Sequence, residues 1–163
     1  MTIHSSALPW CVVRAWHPPD DPVNLIFYGR APAVAVARLM RRTLRPRWHR
    51  TGCGRGVADL SQGAIFWGER RHIRIYDCAG GEPEADWPPL GTWSVVTVHL
   101  EHFDRRRRNH VVDGWNQPRA ELREAFAAIG PPRVGAIFDK DLGRAGVYHG
   151  SRFDGIVTFI ELR

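Results

Sequence analysis

Apolar and polar positions alternate with a period of two in several stretches of the chain and recur at helical spacing in two others. "HIRIY" (72–76) sets Ile73 and Ile75 against His72, Arg74 and Tyr76, the pattern of a strand with one buried face. The same reading predicts strands at 11–16, 24–28, 63–67, 93–103, 109–112, 133–139, 145–149 and 155–162, the last three forming a meander. In "APAVAVARLMRRTLRPRW" the spacing predicts a helix over 32–44, with Pro32 near its start and Pro46 as its stop. A second helix is expected over 117–129, with Asn116 as N-cap, Pro118 in the first turn and a core stripe of Leu122, Ala125, Phe126 and Ile129.

Strands, then a helix, then strands, a helix and strands again make an α+β protein with a mostly antiparallel sheet. The 163 residues suffice for one well-buried domain. "DCAGGEPEADWPPLG" (77–91), rich in glycine, proline and acid, reads as a loop inside that domain.

Charge changes the picture by being concentrated. The net charge is +6, yet from Pro22 to Ala58 there are eight arginines and no acidic residue. Of 23 basic residues this leaves 15 elsewhere, against 17 acidic ones. On the first helix Val36, Leu39, Met40, Thr43 and Leu44 share one face, while Arg38, Arg41, Arg42 and Arg45 fall on the opposite one. Like charges at three- and four-residue spacing repel by a few tenths of a kcal/mol per pair, roughly, and an anionic partner relieves that repulsion. The acid-free stretch continues through Arg47, Trp48, Arg50 and Arg55, an arginine and aromatic mixture that suits single-stranded nucleic acid. A solvated arginine face is the plainer reading of the same residues.

Several chemistries are excluded. No GxxxxGK[ST] phosphate loop occurs, and the single lysine, Lys140, lies in the turn-like "FDKDLGRAG", which argues against lysine-based covalent catalysis. Cys11, Cys53 and Cys78 form no CxxC, and "HLE" (99–101) lacks the later PCxxC of zinc deaminases. No cofactor is expected. No secretory signal and no apolar run of membrane-spanning length is read, so a reducing, cytoplasm-type location is expected, with signal-free export compatible.

The densest chemistry lies in "TVHLEHFDRRRRNHVV" (97–112). On a strand, His99 and Glu101 share a face with Thr97, and His102 points the other way. With "DRRRR" as the turn, His102 is expected opposite His110, and Arg106 and Arg107 stand at the tip. His99, Glu101, His102 and His110 are therefore the candidate catalytic residues, supplying base and acid beside arginines that position a phosphate. A metal-dependent variant would draw Glu121, Glu124 or Asn116 from the following helix; no metal ligand set is assigned. Cys53 with His49, the Asp139–Asp141 pair, and His149 in a glycine-rich turn read as ordinary loop and turn residues.

These readings converge on a protein that binds nucleic acid, RNA favoured, through residues 30–55, and on a small ribonuclease or nuclease-type toxin using the 99–110 cluster. The alternative is an inhibitor, immunity or adaptor module whose arginines and seven tryptophans bind an acidic protein. Neither reading involves a membrane.

Overall fold

A computed structural model describes residues 21–44, 47–48, 58–63, 68–77 and 93–163. The expected strand at 11–16, the loop after Asp77, and Arg45, Arg50 and Arg55 lie outside these residues. The chain forms β1 (Leu25–Gly29), α1 (Ala33–Leu44), β2 (Arg47–Trp48), β3 (Ala58–Gly63), β4 (Glu69–Asp77), β5 (Ser94–Asp104) and β6 (Asn109–Gly114). It continues with α2 (Asn116–Ile129), β7 (Val134–Asp141), β8 (Gly146–Tyr148), β9 (Ser151–Phe153) and β10 (Ile156–Leu162). Among the described residues, two helices and a mainly antiparallel sheet make this an α+β fold. No helix among the described residues is long and apolar enough to cross a membrane.

The eight-stranded sheet runs β2-β3-β4-β5-β1-β10-β7, with β6 also paired to β5. Of these pairings only β1 with β10 is parallel. β5 is long enough to serve two partners along one edge: β1 takes Ser94 to Val96, and β6 takes Leu100 to Asp104. Between them Asn24 substitutes for backbone. Its Nδ2 donates to the Val98 carbonyl at 2.6 Å, and the Val98 amide donates to its Oδ1 at 2.9 Å.

Both helices pack on one face of the sheet. Val36 and Met40 of α1 and Leu122 and Phe126 of α2 join Leu25, Phe27, Ile73, Ile75, Val96 and Val98 in one core, with Phe27 and Phe126 edge to face at 5.0 Å. The opposite face carries a second apolar cluster, in which Val23, Ile26, Val95, Val157 and Phe159 meet Trp115, Leu142 and Phe153. The β8–β9 hairpin brings Phe153 and Tyr148 to that cluster.

Three expectations are corrected, and of the strand expected at 63–67 only Gly63 is described, as the end of β3, where "ADLSQG" pairs with β4; residues 64–67 lie outside the described ones. The expected meander does not form: β7 pairs with β10, and 146–148 pairs with 151–153 in a separate two-stranded sheet. Glycine and serine near the tip allow that tight local hairpin, which leaves the β7 edge to the longer β10. Asn116 is no N-cap; α2 begins at Asn116 with Trp115 in the cap position, and the Asn116 Oδ1 accepts the Asp154 amide instead. The 102–110 pairing is also shifted, as the site geometry makes clear.

Candidate functional site

Three adjacent strands present polar residues on the face away from the helices. The register aligns Asp59 with Arg74 and Arg74 with Thr97. The next rung aligns Ser61, His72 and His99, and the one after it Gly63, Arg70 and Glu101. Ser61, Arg70, His72, Thr97, His99 and Glu101 are each no more than 6% exposed. Burying polar side chains is costly unless they are paired, so this patch is held by its own contacts.

Glu101 is the centre. Its Oε1 accepts from Arg70 Nε and Nη2, and its Oε2 lies 2.9 Å from His99 Nε2. His72 Nδ1 and His110 Nδ1 stand 3.9 and 3.8 Å from Oε1. Burial pushes the carboxyl up, but the His99 hydrogen bond and the charges of His99, His72 and Arg70 outweigh it and hold it at about 2. Glu101 therefore stays ionised at neutral pH and orients its neighbours rather than donating a proton.

Asp21, also buried and immediately ahead of β1, is the second carboxylate. Arg74 Nη1 donates to it at 2.8 Å, His149 Nε2 lies at 3.2 Å and His99 Nδ1 at 3.6 Å. Asp59 meets His72 Nε2 and lies 3.9 Å from Arg74 Nε. One chain of contacts thus runs His110–Glu101–His99–Asp21–His149. Its middle is sealed and its ends are open: the His110 and His149 side chains are 30% and 42% exposed, and His99 is 3% exposed. Trp115 walls the chain, its ring 5.0 Å from His99 and 6.2 Å from His149.

The structure brings together three of the four sequence candidates, His99, Glu101 and His110. It separates His102. The turn is four residues, Arg105 to Arg108, because the Asp104 carboxylate accepts the amides of Arg106 and Arg107 at 2.8 and 3.2 Å and so ends the strand. A one-residue change in register moves a side chain to the other face. His110 consequently stands opposite Phe103, and His102 opposite Val111. His102 pairs with Asp113 at 2.7 Å, and that bond raises its pKa. The helix-ligand variant fails on placement: Glu121 bonds Arg71 and Gln117, and Glu124 bonds Arg123. Arg71 pairs with Leu100 in the register, on the helix side of the sheet.

Of the arginine candidates, Arg38, Arg41 and Arg42 are exposed on α1 opposite buried Val36 and Met40, and Arg106 and Arg107 are exposed at the hairpin tip. Arg47 and Trp48 are described through the backbone, as β2. As site residues, sequence reasoning missed Asp21, Asp59, Ser61, Arg70, His72 and Arg74, and it read His149 as structural. The alternation of "HIRIY" was the available signal: it places His72 and Arg74 on one face, which becomes the site once β4 pairs with β5. No family model, curated protein or solved structure matches the chain.

Proposed function

We propose that the protein binds RNA through its exposed arginines and cleaves the phosphodiester backbone at the polar face of β3, β4 and β5. The observation that carries this reading is the pair of open histidines, His110 and His149, each set against a buried carboxylate and joined through His99. Backbone cleavage of RNA needs a base to take the 2′-hydroxyl proton and an acid to protonate the departing 5′-oxygen, while cations meet the charge developing on phosphorus. As the 2′-oxygen bonds to phosphorus, the bond to the 5′-oxygen breaks; one proton goes to the base and one comes from the acid. His110 and His149 supply the two proton-transfer groups, and Glu101 and Asp21 set their orientation. Arg106 and Arg107 at the tip of the hairpin that carries His110 hold phosphate on the side of the site, while Arg38, Arg41 and Arg42 on α1, across the sheet, hold a separate part of the RNA.

The test is cleavage of single-stranded and structured RNA by protein washed free of copurifying nucleic acid at high salt. His110→Ala and His149→Ala are each expected to slow cleavage about a hundredfold or more with RNA affinity kept. Wild-type protein that binds RNA without cutting it removes the catalytic half of the proposal. Protein that neither binds nor cuts removes all of it and leaves the arginine face to an acidic protein partner.

A further inference from the structure

His72 and His99 face one another across β4 and β5, their rings 5.0 Å apart and nearly perpendicular. Each directs one ring nitrogen toward Glu101 and the other toward a different carboxylate. His72 offers Nδ1 to Glu101 and Nε2 to Asp59. His99 offers Nε2 to Glu101 and Nδ1 to Asp21.

A neutral imidazole has one N–H. If His72 spends it on Asp59 and His99 turns its own toward Asp21, both remaining nitrogens present lone pairs to a carboxylate that only accepts. Three electron-pair donors then converge on one buried point. Charge points the same way: Asp21, Asp59 and Glu101 against Arg70 and Arg74 leave one net negative charge in a patch where burial makes it costly.

We propose that His72 Nδ1, His99 Nε2 and Glu101 bind a divalent transition-metal ion, with zinc the best match. One ligand atom from each of the three residues lies within 4.8 Å of the others, and all three residues are buried. Two imidazoles and one carboxylate are the ligand set of open zinc sites, which keep a fourth position for water or substrate; calcium and magnesium prefer oxygen donors. Asp59, against His72 Nε2, occupies the outer position that fixes the tautomer of a ligating histidine, Asp21 lies 3.6 Å from His99 Nδ1, and Arg70 fixes one oxygen of Glu101.

A second observation supports a bound group here. Ser61 Oγ lies on the rung of His72 and His99, and Thr97 Oγ1 lies one rung away. Both are buried and, like His99 Nδ1, form no hydrogen bond with a described residue. Hydroxyls in that position suit a metal-bound water. The inference does not rest on RNA being the substrate, and its test uses none.

Metal-stripped wild-type protein is titrated with zinc against a chromophoric chelator, and separately with cobalt. One equivalent of zinc per chain is expected, with a rise in melting temperature and a tetrahedral cobalt spectrum free of thiolate bands. His72→Gln and His99→Gln should each weaken zinc binding about a hundredfold or more, and Asp59→Asn about ten- to a hundredfold. Folded wild-type protein that takes up no zinc overturns the proposal. Thiolate bands, or undiminished binding in the His72→Gln and His99→Gln variants, overturn it in favour of a site elsewhere. If those variants fail to fold, the wild-type cobalt spectrum still decides between nitrogen–oxygen and thiolate ligation.

Discussion

His149 reaches the Asp21 carboxylate at 3.2 Å from a two-residue turn in which it and Gly150 both hold positive φ, +50° and +84°. That is type I′ geometry, where Asn-Gly is the favoured pair and histidine is strained. The turn keeps a histidine against its local preference, which is how strain at a functional position is usually maintained. His149→Asn is expected to hold stability or raise it by about 0.5–1 kcal/mol, while slowing RNA cleavage about a hundredfold. Thermal melts and single-turnover cleavage on the same preparation check both halves.

His102 and His110 should behave differently despite their proximity in sequence. His110→Ala is expected to slow cleavage about a hundredfold. His102→Ala, which alters the opposite face of β5 and the contact with Asp113, should leave the rate within about twofold. Equal losses in the two variants would place the reactive face on the wrong side of the strand.

Asn24→Ala removes both bonds to Val98 and leaves a buried amide and carbonyl without partners. The expected cost is about 2–4 kcal/mol, read as a lower urea midpoint at an unchanged slope. Asn24→Asp keeps the acceptor, loses the donor and should fall short of that cost.

The hairpin tip should respond to acid. The amides of Arg107 and Arg106 hold the Asp104 carboxyl below its ordinary range. A lowered folded value means that the stabilisation is fully present above the ordinary aspartate pKa, near about pH 4, and is lost as pH falls through the folded value. Exchange of the Arg106 and Arg107 amides should therefore accelerate in acid beyond the intrinsic trend, and Asp104→Asn should abolish that dependence.

Replacing Arg41 and Arg42 together with glutamine should weaken RNA binding across sequences and flatten the salt dependence by about one unit per lost phosphate contact. Stability should hold or rise as like-charge repulsion on α1 falls. Affinity unchanged over a salt series would detach α1 from the RNA-binding reading.

Local pattern was enough to expect α1, α2 and most strands, because each carries its own periodicity. It was not enough for β3, since "ADLSQG" has few apolar residues and becomes a strand through its pairing with β4. His99 and Glu101 could be assigned one face of β5 from alternation alone, but His110 could not join them. Its face depends on whether Asp104 belongs to the turn or to the strand, a matter of two hydrogen bonds. Asp21 and His149 lie 128 positions apart and share no sequence signal. Their meeting follows from the path of β1 beside β10 and from the separate β8–β9 hairpin.

That path has a consequence for biogenesis. β1 lies between β5 and β10, in parallel register with a strand some 130 residues later, Leu25 beside Thr158 and Gly29 beside Leu162. Non-local parallel pairing forms late and slowly, after loop closure has brought the two segments together. The polar face draws Asp21 from just before β1 and His149 from the β8–β9 turn that precedes β10, so it is not complete until β1 and that hairpin have docked. During ribosomal synthesis Asp21 and the histidines and carboxylates of β4 and β5 emerge well ahead of His149 and of β10. Topology alone thereby leaves the polar face incomplete in a nascent chain, and the face closes after translation of Ile156–Leu162 rather than during it.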